Sequence, residues 1–179
     1  VLAQNEAEKS LHSEFEDSMI MGEQTVFDKV RNMIEAHYPV LYLTTFEYGR
    51  TKQKLNGILD TLKGDVCKYE WASVNGLMSI DEKGGVDSIT LDDEPIVEPE
   101  SVLKYALSKD NKKKDIFILN DFHEHIEEEN VKYYIRTLSE KARYTNTYII
   151  ILSSVYKLPV ELEKYVTVVN IPLPDRIDL

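Results

Sequence analysis

A single cysteine among 179 residues, Cys67, excludes an intramolecular disulfide and fits a reducing interior, where its thiol packs as a small apolar side chain. Positive charge is short as well: 21 lysines and arginines stand against 32 aspartates and glutamates, a net charge of -11. Such a surface repels phosphate backbones and anionic lipid, so neither nucleic acid nor membrane is an expected partner. The only basic run, Lys112-Lys113-Lys114, reads as a solvated loop ahead of a strand. Long apolar runs are missing; residues 148–152 fall far below the roughly 20 that span a bilayer. No basic stretch leads into an apolar one near residue 1, so no signal peptide is expected and the cytoplasm is the expected location. Internal repeats are absent.

What is present is ordinary for a globular chain: 42% hydrophobic and 30% charged residues, enough for one domain with a core. Residues 1–23 are acidic and weakly patterned, a tail or frayed helix ahead of a domain over 24–179. Order is expected to begin near Thr25, which makes a capping-box-like start with Asp28. Val26, Phe27, Val30, Met33 and Ile34 then recur at helical spacing until Pro39. Residues 40–45 form a short apolar strand. Leu55, Ile58, Leu59 and Leu62 give a helix one apolar stripe, with Gly64 in the C′ role. A second strand covers 67–71. Residues 74–99 read as a polar connector holding Gly76, Gly84, Gly85 and Pro95, with a small strand over 88–91. Pro99 opens a helix carrying Val102, Leu103, Ala106 and Leu107.

The strand–helix theme then repeats. Residues 116–119 are continuously apolar and end at Asn120-Asp121; Val131, Ile135, Leu138 and Ala142 mark an amphipathic helix. Residues 148–152 form another run buried on both faces and end at Ser153-Ser154. A short helix over 160–164 leads to a last strand over 166–171. Strands apolar throughout, separated by amphipathic helices, predict a three-layer α/β/α domain with a mainly parallel sheet. Right-handed crossovers place all parallel strand ends, with Thr44, Thr45, Asn120, Asp121, Ser153 and Ser154, along one edge.

Three constellations lie on that edge. The loop Thr45-Phe46-Glu47-Tyr48-Gly49-Arg50-Thr51-Lys52 follows a strand, where a phosphate-binding loop would sit. Such a loop needs glycines to turn backbone N–H groups inward, then Lys and Ser/Thr for phosphate and magnesium. Here Glu47 adds negative charge and Phe46 and Tyr48 add bulk, so Gly49, Arg50, Thr51 and Lys52 only echo the pattern. The second constellation, residues 116–121, has the shape of a Walker B strand with Asp121 as its carboxylate, but Phe122 stands where a water-polarising Glu belongs. Third, Asp121, His123 and His125 alternate, a spacing that suits metal ligands on an extended segment, but no distant histidine cluster completes a site, and a loop loading acidic residues onto the next helix N-terminus is the preferred reading. Ser153 and Ser154 lack a G-x-S-x-G elbow. The adjacent Tyr133 and Tyr134 place at least one ring on the surface.

Four stretches, residues 38–47, 71–77, 117–123 and 151–163, together with the ending 166–176, resemble the degenerate N-terminal domain of a subgroup of AAA+ ATPases found in plastids and bacteria. The resemblance implies a five-stranded sheet in AAA+ order, P-loop NTPase-like, with Ser153 and Ser154 at the sensor-1 position. It also implies a competent ATPase module after Leu179, to which ATP and Mg would belong, leaving this fragment without a cofactor. No G-x-x-x-x-G-K-[ST] occurs anywhere, and Glu163-Lys164-Tyr165 fills the stretch where an arginine finger would stand. The expected function is a non-catalytic domain that regulates or tethers an ATPase through contacts with its own module or with neighbouring subunits, homo-oligomers included. A metal-dependent enzyme using Asp121, His123 and His125 is the alternative. A receiver-like signalling module ranks lower, because the paired acids after the first strand are missing.

Overall fold

Alternation along each strand explains the sheet. Successive strand side chains point to opposite faces, and over residues 40–43, 116–119 and 148–152 both faces are covered, so these stretches are apolar throughout. Leu41 and Leu43 enter one core cluster while Val40 and Tyr42 enter another. Ile116 and Ile118 separate from Phe117 and Leu119 in the same way, and Ile150 and Leu152 from Ile149 and Ile151. Each fully buried aliphatic or aromatic side chain contributes about 1.5–3 kcal/mol.

A computed structural model describes residues 2–173, with side chains for 4–10 and 26–173. The elements are α1 (Leu2–Glu35), β1 (Val40–Thr44), α2 (Tyr48–Leu59), β2 (Val66–Ala72), β3 (Gly76–Ile80), β4 (Val86–Ser88), β5 (Thr90–Leu91), β6 (Glu94–Pro95), α3 (Pro99–Leu107), β7 (Lys114–Asn120), α4 (Glu129–Glu140), β8 (Thr147–Ser153) and β9 (Thr167–Asn170). Single 3₁₀ turns cover Phe122–Glu124 and Val160–Leu162. The main sheet runs β4-β3-β2-β7-β8-β1-β9. Five of its strands, β2, β7, β8, β1 and β9, are parallel; β3 and β4 extend it antiparallel. One core packs Phe27, Val30 and Ile34 of α1 and Leu55 and Leu59 of α2 on the sheet. The other packs Val102, Leu103 and Ala106 of α3 and Val131, Ile135 and Leu138 of α4 on its opposite face. The α/β/α layering is as the sequence predicts.

Several local expectations are corrected. The sheet has seven strands rather than five, because the segment read as a polar connector pairs back on β2 and then makes the β5–β6 hairpin. The strand expected over 88–91 is divided between β4 and β5. The first helix does not start at Thr25 but runs unbroken from Leu2. Gly64 is not at C′: α2 ends at Leu59 with Asp60 as its cap, and Gly64, at φ +80°, serves the turn beyond. Ala142 lies past the end of α4, and the helix expected over 160–164 is one 3₁₀ turn. The ending that includes Pro174, Asp175 and Arg176 lies outside the described residues.

Candidate functional site

β1 and β8 are neighbours whose onward connections run in opposite directions, β1 toward β2 and β8 toward β9. In open α/β sheets the crevice outside such a switch point, at the carboxyl ends of the strands, is where ligands bind. Here the loops after β1, β7 and β8 surround it.

The connection from β1 to α2 is only residues 45–47. Thr45 extends the ladder, its N–H donating to the Ser153 carbonyl at 2.8 Å. Its Oγ1 lies 2.7 Å from the Thr51 Oγ1, both residues buried, and accepts the Glu47 N–H at 3.2 Å. The hydroxyls of Thr45 and Thr51 therefore satisfy each other and the loop backbone. Glu47 caps α2 without a side-chain hydrogen bond, and its carboxylate lies 3.8 Å from Arg50. Gly49 meets no close approach, since a Cβ there would touch nothing within 4 Å. Lys52 turns away to Glu70 of β2, with Nζ 2.8 Å from Oε1. Phe46 is 72% exposed.

Tyr48, the first residue of α2, occupies the crevice. Its phenol O–H donates to Asp121 Oδ1 and accepts the Ser154 N–H at 2.8 Å. Burial, then the hydrogen bond to Asp121, pushes its pKa above the ordinary 10.0, so the group stays a neutral donor. Asp121 is itself held by its N–H to the Leu152 carbonyl at 2.9 Å and adopts φ +53°, a left-handed conformation that Asp tolerates better than most residues. One side chain thus joins the ends of β7 and β8 to the start of α2.

The histidines diverge. His123 Nδ1 lies 2.7 Å from the fully buried Ser153 Oγ. That hydroxyl also lies 2.8 Å from the Val155 carbonyl. His125 Nδ1 lies 3.1 Å from Glu128 Oε1, and its ring packs edge-on to Trp71 and Phe122. Asp121, His123 and His125 thus address three different partners. Among the described residues no three His, Cys, Asp or Glu side chains lie together as a metal site.

Sequence reasoning found the edge but missed how it is fastened. It counted Tyr48 as bulk, whereas its hydrogen-bond partners lie 73 and 106 residues away along the chain. It also passed over Tyr42, whose hydroxyl donates to the Val155 carbonyl at 2.5 Å and accepts the Lys157 N–H at 3.2 Å, shaping the loop after β8. Asn120 ties Glu70 and the Trp71 carbonyl, at 2.9 and 3.1 Å, to the end of β7. A tyrosine just after an apolar strand was the one available signal for Tyr48. Tyr133 is exposed and Tyr134 half-buried, as their adjacency on one helix requires.

Comparison with known proteins bears on the same residues. Residues 26–171 match the family described as SpoVK-like AAA ATPase, N-terminal domain. The chain is 22% identical over 147 residues to the uncharacterized AAA domain-containing protein ycf46 of Guillardia theta, covering 82% of this chain and 27% of that protein. For ycf46 of Pyropia yezoensis the figures are 22% over 150 residues, 84% and 29%. The chain therefore spans less than a third of the length of these relatives. Among solved structures its fold is similar to that of C. elegans PCH-2, with a TM-score of 0.50 and 14% identity over 85% of this chain and 43% of that one.

Proposed function

Because the chain belongs to the SpoVK-like AAA ATPase N-terminal domain family, we propose that it is a non-catalytic, NTPase-like domain that regulates or tethers an AAA+ ATPase module through protein contacts. The observation that carries this reading is the Tyr48 phenol lodged between Asp121 and Ser154. The residues around it do not fit a magnesium triphosphate. The loop before α2 is three residues long and holds no glycine, Glu47 repels phosphate, and Lys52 is engaged with Glu70. Phe122, where a water-polarising acid would be needed, is fully buried against Trp71. ATP and magnesium belong, in this proposal, to a module elsewhere in a longer protein.

The contact surface is the carboxyl edge, with Phe46, Val155 and Tyr156 exposed around the Tyr48–Asp121 contact. β9 runs parallel to β1, and the Ile171 N–H donates to the Thr44 carbonyl at 2.9 Å, so the chain leaves the sheet at this same edge. That exit supports a partner delivered by the longer chain itself or by a neighbouring subunit. Calorimetry with ATP and magnesium tests the proposal: no heat of binding is expected, and micromolar affinity abolished by Asp121→Ala would overturn it. In the longer protein, Phe46→Ala with Tyr156→Ala should change ATPase rate or domain docking while leaving the fold intact.

A further inference from the structure

The two faces of the β2–β3–β4 wing are covered unequally. Toward α3, Tyr69, Trp71 and Leu77 are buried. On the other face the register aligns Lys68 with Ile80, Glu70 with Met78, and Ile80 with Val86. None of these five is buried, and Val86 is 56% exposed. α2 borders this face without covering it: its Lys52 reaches Glu70 at 2.8 Å, and its cap Asp60 reaches Lys68 at 3.0 Å. Two cavities lie in line along it. One of about 170 Å³ at the carboxyl end is lined by Glu70, Met78, Val86 and Asn120. The other, about 360 Å³, at the amino end, is lined by Leu59, Leu62, Lys68 and Ile80.

We infer that this groove is a docking site for an amphipathic helix of a partner protein, with an apolar stripe flanked by lysine or arginine. Dimension supports a helix. The stretch from Lys68 to Ala72 spans roughly 13 Å at strand rise, which matches about nine residues of helix. A helix laid there beside α2 would complete the outer layer that the wing lacks. Met78, Ile80 and Val86 supply the apolar floor. Charge selects the flanks: of the acids lining the cavities, Glu70 pairs with Lys52 and Asp60 with Lys68, which leaves Asp65 and Glu82 as surplus negative charge at the amino end. A helix with acidic flanks would be repelled.

The test uses a fluorescein-labelled model helix about four turns long, with leucine at i, i+3, i+4 and i+7 and lysine elsewhere. Anisotropy should report saturable binding, weakened about tenfold or more by Val86→Lys, which removes part of the apolar floor and repels the lysine flanks at an exposed position, and likewise by Met78→Lys. A scrambled peptide of equal composition, and one with glutamate for lysine, should not bind. Equal binding of the scrambled peptide, or indifference to Val86→Lys in a chain whose circular dichroism matches wild type, would overturn the assignment. So would sedimentation showing a dimer of the chain that Val86→Lys dissociates, which would give the groove to a second copy.

Discussion

The hydroxyl of Tyr48 and the carboxylate of Asp121, 73 residues apart in sequence, are hydrogen-bonded across the carboxyl edge, with the Ser154 N–H completing the contact. This bond fastens the loops after β7 and β8 to the start of α2 at the carboxyl edge.

Replacing Tyr48 by Phe removes the bond and keeps the ring, so it should cost about 1 kcal/mol in urea unfolding at neutral pH. The phenol's pKa is raised in the folded state, by burial first and by Asp121 second. Its stabilisation is therefore full below the unfolded value near 10.0 and lost as pH rises through the folded one. The gap between wild type and Tyr48→Phe should hold from neutrality to about pH 9 and shrink above 10. A gap that stays constant through strongly alkaline pH would contradict the assignment.

Glu35 gives the opposite sign. The Lys63 N–H, at 2.8 Å, lowers its pKa below the ordinary 4.5 against the opposing effect of burial, and Lys114, at 3.0 Å, adds to the lowering. Its contribution is present above the unfolded value and disappears as pH falls through the folded one. Glu35→Gln should lose about 1 kcal/mol at neutral pH, and the two denaturation midpoints should converge in acid.

Phe122 is fully buried, edge-on to Trp71 at 5.4 Å between centroids, and anchors the turn that carries His123. Phe122→Ala should destabilise the chain by about 3–5 kcal/mol. Because Trp71 is the sole tryptophan, its fluorescence should shift at the same time.

Two glycines should respond to alanine in opposite directions. Gly76 sits at φ +75°, and a Cβ there would come within 3.0 Å of the Ile96 carbonyl oxygen, so Gly76→Ala should destabilise by at least about 1 kcal/mol. Gly57 lies inside α2 with nothing within 4 Å of a Cβ, and Gly57→Ala should stabilise by roughly 0.5–1 kcal/mol. Thermal melts of the two variants, shifted in opposite senses, check both.

The wing shows where pattern reading ran out. β3 and β4 are short and sit at a sheet edge with one face open, so Ser79, Asp87 and Ser88 dilute the alternation that marks a strand. Their pairing is fixed instead by contacts across the turn at Gly76 and by the Ile89 N–H on the Leu77 carbonyl, at 2.9 Å. The sequence places the start of α1 near Thr25 because the residues before it carry little apolar periodicity, whereas the helical backbone already runs from Leu2.

Sequence alone determined the parallel core, because stretches such as residues 116–119 of β7 and 148–152 of β8 must be apolar throughout when helices cover both faces. It also determined the composition of the β1–α2 loop, since a missing glycine or an added Glu47 is a local fact. Tertiary structure decided what fills the crevice and which strands lengthen the sheet. Tyr48 meets Asp121 and Ser154 only after β7 and β8 have crossed over beside β1, and hydrogen bonds between distant segments leave no periodicity in a chain.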